Sequence, residues 1–177
     1  MMETEDHVDR LRTLWAKELP DLDTTPMSIL GRIYRLSNLV RPSIEATFAE
    51  FNLDRGEFDV IATIRRAGPP YRMTPTELYS LLLISSGGLT HRLDRLEKSG
   101  LIRRERSAQD KRSFEVALTD EGIERAEAAF REDMKRELAH LGGLEESERR
   151  ALAALLRKLA GSLERTGDNG LAVADSV

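Results

Sequence analysis

The hydrophobic period of this chain changes at Gly100, and that change limits what the chain can fold into more than any other feature. Before it, Leu89, Leu93 and Leu96 recur at i, i+4 and i+7, which is one face of a helix. The spacing predicts a helix within Ser85–Gly100, with Ser85 or Ser86 capping its start and Gly100 closing it in a left-handed conformation. Gly87, His91, Asp94, Arg95 and Lys98 then fall opposite the leucine stripe. The early outer face is small or hydroxylated (Ser86, Gly87, Gly88, Thr90), so a partner such as a duplex groove can approach the backbone. Taken alone, the same face suits plain solvent equally well.

After Gly100 the pattern is that of strands. Leu101 to Arg106 reads as one strand and Phe114 to Leu118 as its antiparallel partner, with residues 107–113 as a polar, basic hairpin tip. Before Ser85, Glu57 to Ala67 forms a short helix with Phe58, Ile61 and Ile64 on its core side. Thr74-Pro75-Thr76-Glu77 is a capping box with proline at the first helical position, and opens another helix reaching Leu82. Two short helices followed by a two-stranded hairpin make a winged helix-turn-helix, whose second helix would be the reader; the alternative is a winged helix used for protein–protein contact, with no operator.

The flanking segments are helical. Residues 5–18 place Val8, Leu11, Leu14 and Trp15 on one side, and Pro20 stops them. Thr25-Pro26 opens a long helix to Phe51, with Met27, Leu30, Ile33, Leu36, Leu39 and Val40 as its stripe. Pro42 inside that pattern predicts a kink or a restart. Thr119-Asp120-Glu121 starts a helix to His140, Gly142-Gly143 breaks it, and Leu144 to Arg165 forms the last helix. This is more apolar stripe than one small winged helix covers, and burial between two subunits would absorb it. The expected class is mainly α: a winged helix-turn-helix with N- and C-terminal dimerisation helices and a two-stranded β-hairpin wing. The expected divisions are an extension helix (1–23), a dimerisation helix (24–52), the DNA-binding domain (53–119), C-terminal dimerisation helices (120–165) and a disordered tail (166–177).

Charge is unevenly distributed. The chain of 177 residues carries a net charge of −4, which disfavours non-specific coating of nucleic acid but leaves room for a local patch. Ser85 to Ser113 holds eight Lys/Arg against four Asp/Glu, whereas Met1 to Leu30 holds three against seven. Cysteine is absent, which removes disulfide scaffolds, thiolate zinc sites and thiol redox sensing. No apolar run is long enough to span a bilayer, and the acidic start lacks a signal-peptide layout; a cytoplasmic protein is expected. His7, His91 and His140 are scattered, and there is no metal-ligand spacing, no nucleophile arrangement and no glycine-rich phosphate loop. No metal site, cofactor or catalytic residue is expected.

Taken together, Glu57-Phe58-Asp59-Val60-Ile61, Pro75-Thr76-Glu77-Leu78, Ser85 to Gly100, Asp110-Lys111-Arg112-Ser113 and Leu118-Thr119-Asp120-Glu121-Gly122 resemble the MarR family of bacterial transcription regulators. The resemblance runs from Thr25 to Arg165 in the right order. It implies a homodimer on a pseudo-palindromic operator, with recognition helices in the major groove and wings in the flanking minor grooves. Ser86, Gly87, Thr90 and His91 would meet base edges or phosphates, and Arg95 the backbone. Lys111 and Arg112 would serve the wing, with Arg112 in a narrow minor groove. Asp110 would hold Arg112 or the turn; the alternative is that it only caps the hairpin.

Asp59 and Arg66 lie seven residues apart on one helix and share a face. Arg92 sits close enough to the leucine stripe to turn inward, where it needs a carboxylate or an anion. The resemblance extends to the urate-responsive members of the family, which have an extra N-terminal helix bearing a tryptophan, an aspartate and an arginine before the helix-turn-helix, and an arginine in the recognition helix. Trp15, Asp59, Arg66 and Arg92 match those four. Relatives with the same four also respond to small carboxylates such as citrate and aconitate, and phenolic acids act in the wider family. The resemblance implies that Asp59 pairs with Arg92, and that an anion on Trp15 and Arg66 disturbs that pair. The alternative makes Trp15 dimer core and Asp59/Arg92 a structural ion pair.

Overall fold

The computed structural model describes residues 5–82, 88–106 and 114–170. The helices are α1 (His7–Glu18), α2 (Arg32–Glu50), α3 (Arg55–Arg66), α4 (Pro75–Leu81), α5 (Leu89–Lys98), α6 (Asp120–His140) and α7 (Glu146–Gly170). The strands are β1 (Arg72–Met73), β2 (Ile102–Arg106) and β3 (Phe114–Leu118). A five-residue π-helical stretch, Met27–Gly31, runs directly into α2. The chain divides into two compact units, one up to Met134 and one from Lys135.

Local signals explain most of the element ends. Asp6, Asp54 and Thr74 each cap a helix by accepting the N–H three residues on, and the acid at that position (Asp9, Glu57, Glu77) accepts the N–H of the cap in return. Thr119 plays the same part for α6: its Oγ1 accepts the Gly122 N–H at 3.0 Å and donates to the Gly100 carbonyl at 2.7 Å. Such caps contribute about 1 kcal/mol each. Asn52 and Gly100 leave their helices with φ of 56° and 76°, the left-handed exit that satisfies the last carbonyls.

The first unit has one core. Ile61, Ile64, Val60, Leu78 and Val116 are fully buried, and Leu93, Leu96, Leu101 and Ile102 nearly so. The leucines of α5 therefore face inward as their spacing requires, and burying each such side chain stabilises by about 1.5–3 kcal/mol. Phe48 of α2 stacks on Phe58 of α3 with centroids 4.0 Å apart, which ties the long helix to the winged helix. In the second unit, α7 leaves Leu155 and Leu163 more than half exposed.

Four expectations change. Helix α2 runs through Pro42 without a restart; the proline removes a single backbone hydrogen bond, and the burial of Thr47 and Phe48 beyond it holds the helix together. The wing sheet has three strands in the order β1-β3-β2. The added strand is only two residues long, too short for any alternation to announce it, and pairs Arg72 with Ala117 and Met73 with Val116. The recognition helix as described starts at Leu89 with Gly88 at its N-cap, φ 131°, while Ser85 and Ser86, expected to cap it, lie outside the described residues. The last helix continues to Gly170, past the tail expected from Thr166, because nothing between Arg165 and Gly170 blocks helical hydrogen bonding.

Candidate DNA-reading surface and effector cleft

Helix α5 presents Thr90, His91, Asp94, Arg95 and Lys98 at the surface while Leu93 and Leu96 anchor it. Thr90 and His91, two of the residues assigned to DNA, are thus exposed on that helix. Ser86, Gly87, Asp110, Lys111 and Arg112, the other residues assigned to DNA, lie outside the described residues. Arg95, also assigned to DNA, is half exposed and pairs within the chain: its Nε lies 2.8 Å from Glu57 Oε1 and its Nη1 3.4 Å from Asp54 Oδ2. Glu57 is almost completely buried, so Arg95 neutralises a carboxylate that would be expensive to leave unpaired. The capping box of α3 gives a local reason for Glu57; its pairing with α5 spans 38 residues and leaves no mark in local spacing.

Arg92 does turn inward. It packs on Gly56, and its Nη1 is buried without a hydrogen-bond partner. The direct ion pair expected between Asp59 and Arg92 does not form. Asp59 is partly buried, and burial pushes its carboxyl above the ordinary range, against the nearby charges of Arg55, Arg92 and Arg66, which pull it down. Desolvation wins because none of the three arginines donates directly to it.

One cleft of about 710 Å³ opens between α3 and α6. Phe58, Asp59, Ala62, Arg65 and Arg66 line it from α3; Ala126, Glu127, Phe130, Arg131 and Met134 line it from α6. Three arginines against two carboxylates give it a positive balance over an apolar floor. Arg65 bonds Glu127 at 2.6 Å and lies 4.8 Å from the Tyr71 ring centroid, and the guanidinium holds the Glu127 carboxyl below its usual range. Arg66 is exposed, its Nη2 3.5 Å from the Leu81 carbonyl at the end of α4. Asp59 and Arg66 are therefore brought together. Trp15 is not: it is half-exposed on α1 and does not line the cleft. Helix α1 is fixed instead by Arg32, which bridges Asp6 at 2.9 Å and Asp9 at 2.7 Å. Glu127, Phe130 and Arg131 escape a reading of the sequence because α6 meets α3 only through the tertiary fold.

Among the described residues no group of His, Asp and Glu could hold a metal ion, and no helix is long and apolar enough to cross a membrane. The MarR family model matches residues 51–113, from the turn before α3 to the residue before β3. The HTH-type transcriptional regulator PecS of Dickeya dadantii is 38% identical over 145 residues, covering 82% of this chain and 87% of that protein. The chain belongs to the MarR family.

Solved structures agree. AbsC, a MarR family transcriptional regulator from Streptomyces coelicolor, superposes with a TM-score of 0.69 at 21% identity, over 81% of this chain and 97% of that one. A mutant MarR from E. coli complexed with operator DNA gives a TM-score of 0.61 at 28% identity, over 82% and 97%. This MarR-family chain is a DNA-binding transcriptional regulator and not an enzyme. Its α5 is the second helix of the helix-turn-helix, and β2–β3 is the wing.

Proposed function

We propose that this regulator represses transcription as a homodimer on a pseudo-palindromic operator in the cytoplasm, and that a small planar anion such as urate releases it. The observation that carries this reading is the position of Asp59. It lies with Arg66 in the α3–α6 cleft, on the helix whose first turns hold Arg92 and Arg95 of α5. An anion entering the cleft gains Arg66, Arg65 and Arg131 and confronts Asp59, whose charge is already opposed by burial. Any resulting shift of α3 moves the seat of the recognition helix. Trp15 would join the site as a stacking surface from α1 only after α1 moves or across the dimer. DNA is gripped by Thr90, His91, Ser86 and Gly87 in the major groove and by Lys111 and Arg112 in the minor groove, with Asp110 ordering the tip.

Dimerisation is supported by the apolar surface on the N-terminal helices. Tyr34, Leu36 and Leu39 of α2 and Leu14 of α1 are all more than half exposed, beyond what a monomer of this size normally leaves uncovered. Burial in a symmetric interface would give them a partner.

The test uses a duplex selected by the protein from a random pool. Its binding, followed by fluorescence anisotropy, should weaken steeply with salt. Urate should lower operator affinity about ten- to hundredfold, which requires about 1.4–2.8 kcal/mol of preference for the DNA-free state. Arg66→Ala should blunt that response. Citrate and salicylate serve as comparison arms: a response to citrate alone assigns the cleft to carboxylates, and an equal response of wild type and Arg66→Ala removes Arg66 from the site.

A further inference from the structure

We propose that Arg104 is a positioning residue for DNA binding. It braces the wing against the recognition helix through Asp94 and Glu97, and so sets the angle between the two elements that meet the duplex. This rests on the reading that both α5 and the wing touch DNA.

Arg104 is the middle residue of β2, opposite Val116 of β3. Its Nη2 lies 2.5 Å from Asp94 Oδ1 and its Nη1 3.2 Å from Glu97 Oε2. Its backbone N–H donates to the other Glu97 oxygen, Oε1, at 3.2 Å. The guanidinium also lies 5.6 Å from the ring centroid of Phe114, the first residue of β3. One residue thus touches the recognition helix and joins it to both strands of the wing. The covalent path from α5 to β2 runs through Ser99, Gly100 and Leu101, and is tied at its base by the buried Leu101, whose N–H bonds the Leu96 carbonyl at 3.0 Å. The brace adds a fixing point two residues further along β2 than the one that Ile102 and Leu101 supply through the core.

Asp94 is the telling partner. It is exposed on the outer face of α5, one turn from His91 and from Lys98. A carboxylate there repels phosphates, so on charge alone the reader would be better without it. Its geometry gives it a different task, as the anchor for Arg104. Surface pairs like these contribute little to overall stability, but a fork held at two carboxylates restricts direction strongly. The expected effect is on the pose of the wing and not on the fold.

The experiment compares wild type, Asp94→Ala, Glu97→Gln, Arg104→Ala and the Asp94→Ala/Arg104→Ala double variant. Operator affinity is measured against salt, together with hydroxyl-radical footprints and melting temperature. Asp94→Ala should weaken operator binding about fivefold although it removes an acid from the DNA side, and Glu97→Gln should act in the same direction. Protection of the flanking minor-groove segments should fall relative to the half-site centres. For Arg104→Ala the salt slope should change by less than about one, since Arg104 itself holds no phosphate. The double variant should be no weaker than Arg104→Ala. Asp94→Ala binding as tightly as wild type or tighter, or fully additive losses in the double variant, would overturn the brace. A wild-type footprint without flanking protection would instead contradict the reading that the wing meets DNA.

Discussion

The guanidinium of Arg92 lies so close to Gly56 that a Cβ built there would be 2.3 Å from Arg92 Cζ. The first turn of α3 is thus a seat for the recognition helix, and the seat needs a residue without a side chain. Arg92 is the flexible partner, so a methyl group at position 56 moves the arginine and leaves the backbone in place. Gly56→Ala should keep its melting temperature within about 3 °C of wild type, since alanine also favours the helix. Operator affinity should nevertheless fall severalfold. Differential scanning fluorimetry and anisotropy on the selected duplex check both halves; unchanged affinity would show that the seat of Arg92 does not set the pose of α5.

Gly122 is the opposite case. A Cβ there would lie 2.0 Å from the backbone carbonyl oxygen of Leu101, which cannot swing aside. Gly122→Ala should destabilise the first unit by about 1–3 kcal/mol or more, read as a lower midpoint in urea denaturation with the slope unchanged.

Asp59 makes a pH-dependent prediction. Its carboxyl is raised above its ordinary value by burial, so the folded chain holds the proton at pH values where the unfolded chain has already lost it. Stability from this group therefore falls as pH rises from the ordinary value through the raised one, and the penalty persists at higher pH. Asp59→Asn should melt higher than wild type at pH 7. The gap should close as the pH is lowered toward the ordinary carboxylate value, which paired melting curves from pH 7 to pH 4 will show.

Sequence pattern places Arg95 on the DNA backbone, and the structure gives it to Glu57. Arg95→Ala leaves a buried carboxylate without its cation, and should lower stability by about 1–3 kcal/mol. Glu57→Gln should soften that loss in the double variant. The salt slope of operator binding separates the two roles. If Arg95 neutralises a phosphate, Arg95→Ala reduces the slope by about one; if it only anchors the helix, the slope stays as in wild type.

The apolar face of α2 gives a test of assembly. Leu36 and Leu39 are both more than half exposed and share one side of the helix. Leu36→Glu/Leu39→Glu should convert a dimer into monomers in sedimentation velocity while far-ultraviolet circular dichroism stays unchanged. Operator affinity should fall as the dimer dissociates, because each chain offers only one half-site reader.

The elements that can be read from the sequence are those with local signatures. The capping boxes at Asp54 and Thr74, the leucine stripe of α5, the left-handed exit at Gly100 and the alternation of Phe114 to Leu118 each declare themselves within a few residues. What stays hidden is tertiary. The pairing of Arg95 with Glu57, the bond from Arg65 to Glu127 and the grip of Arg104 on Asp94 all join residues whose separation carries no period. The two-residue β1 is too short for any pattern. Asp59 and Arg66 are legible because they share a helix face; the α6 wall of their cleft is not, because only packing places Phe130 and Arg131 opposite them. Pro42 misleads in the other direction, since a local rule against helix is outweighed by the burial of Phe48 beyond it.

In the mechanism proposed above, the α3–α6 cleft and the recognition helix are coupled through α3. Coupling of binding free energies is reciprocal, so it can be read from the ligand side. Isothermal titration calorimetry of urate into the free protein, and into the protein saturated with its selected operator duplex, measures it most directly. Operator should weaken urate binding by the same factor, about ten- to hundredfold, by which urate weakens operator binding. Equal urate affinity with and without the operator would contradict it.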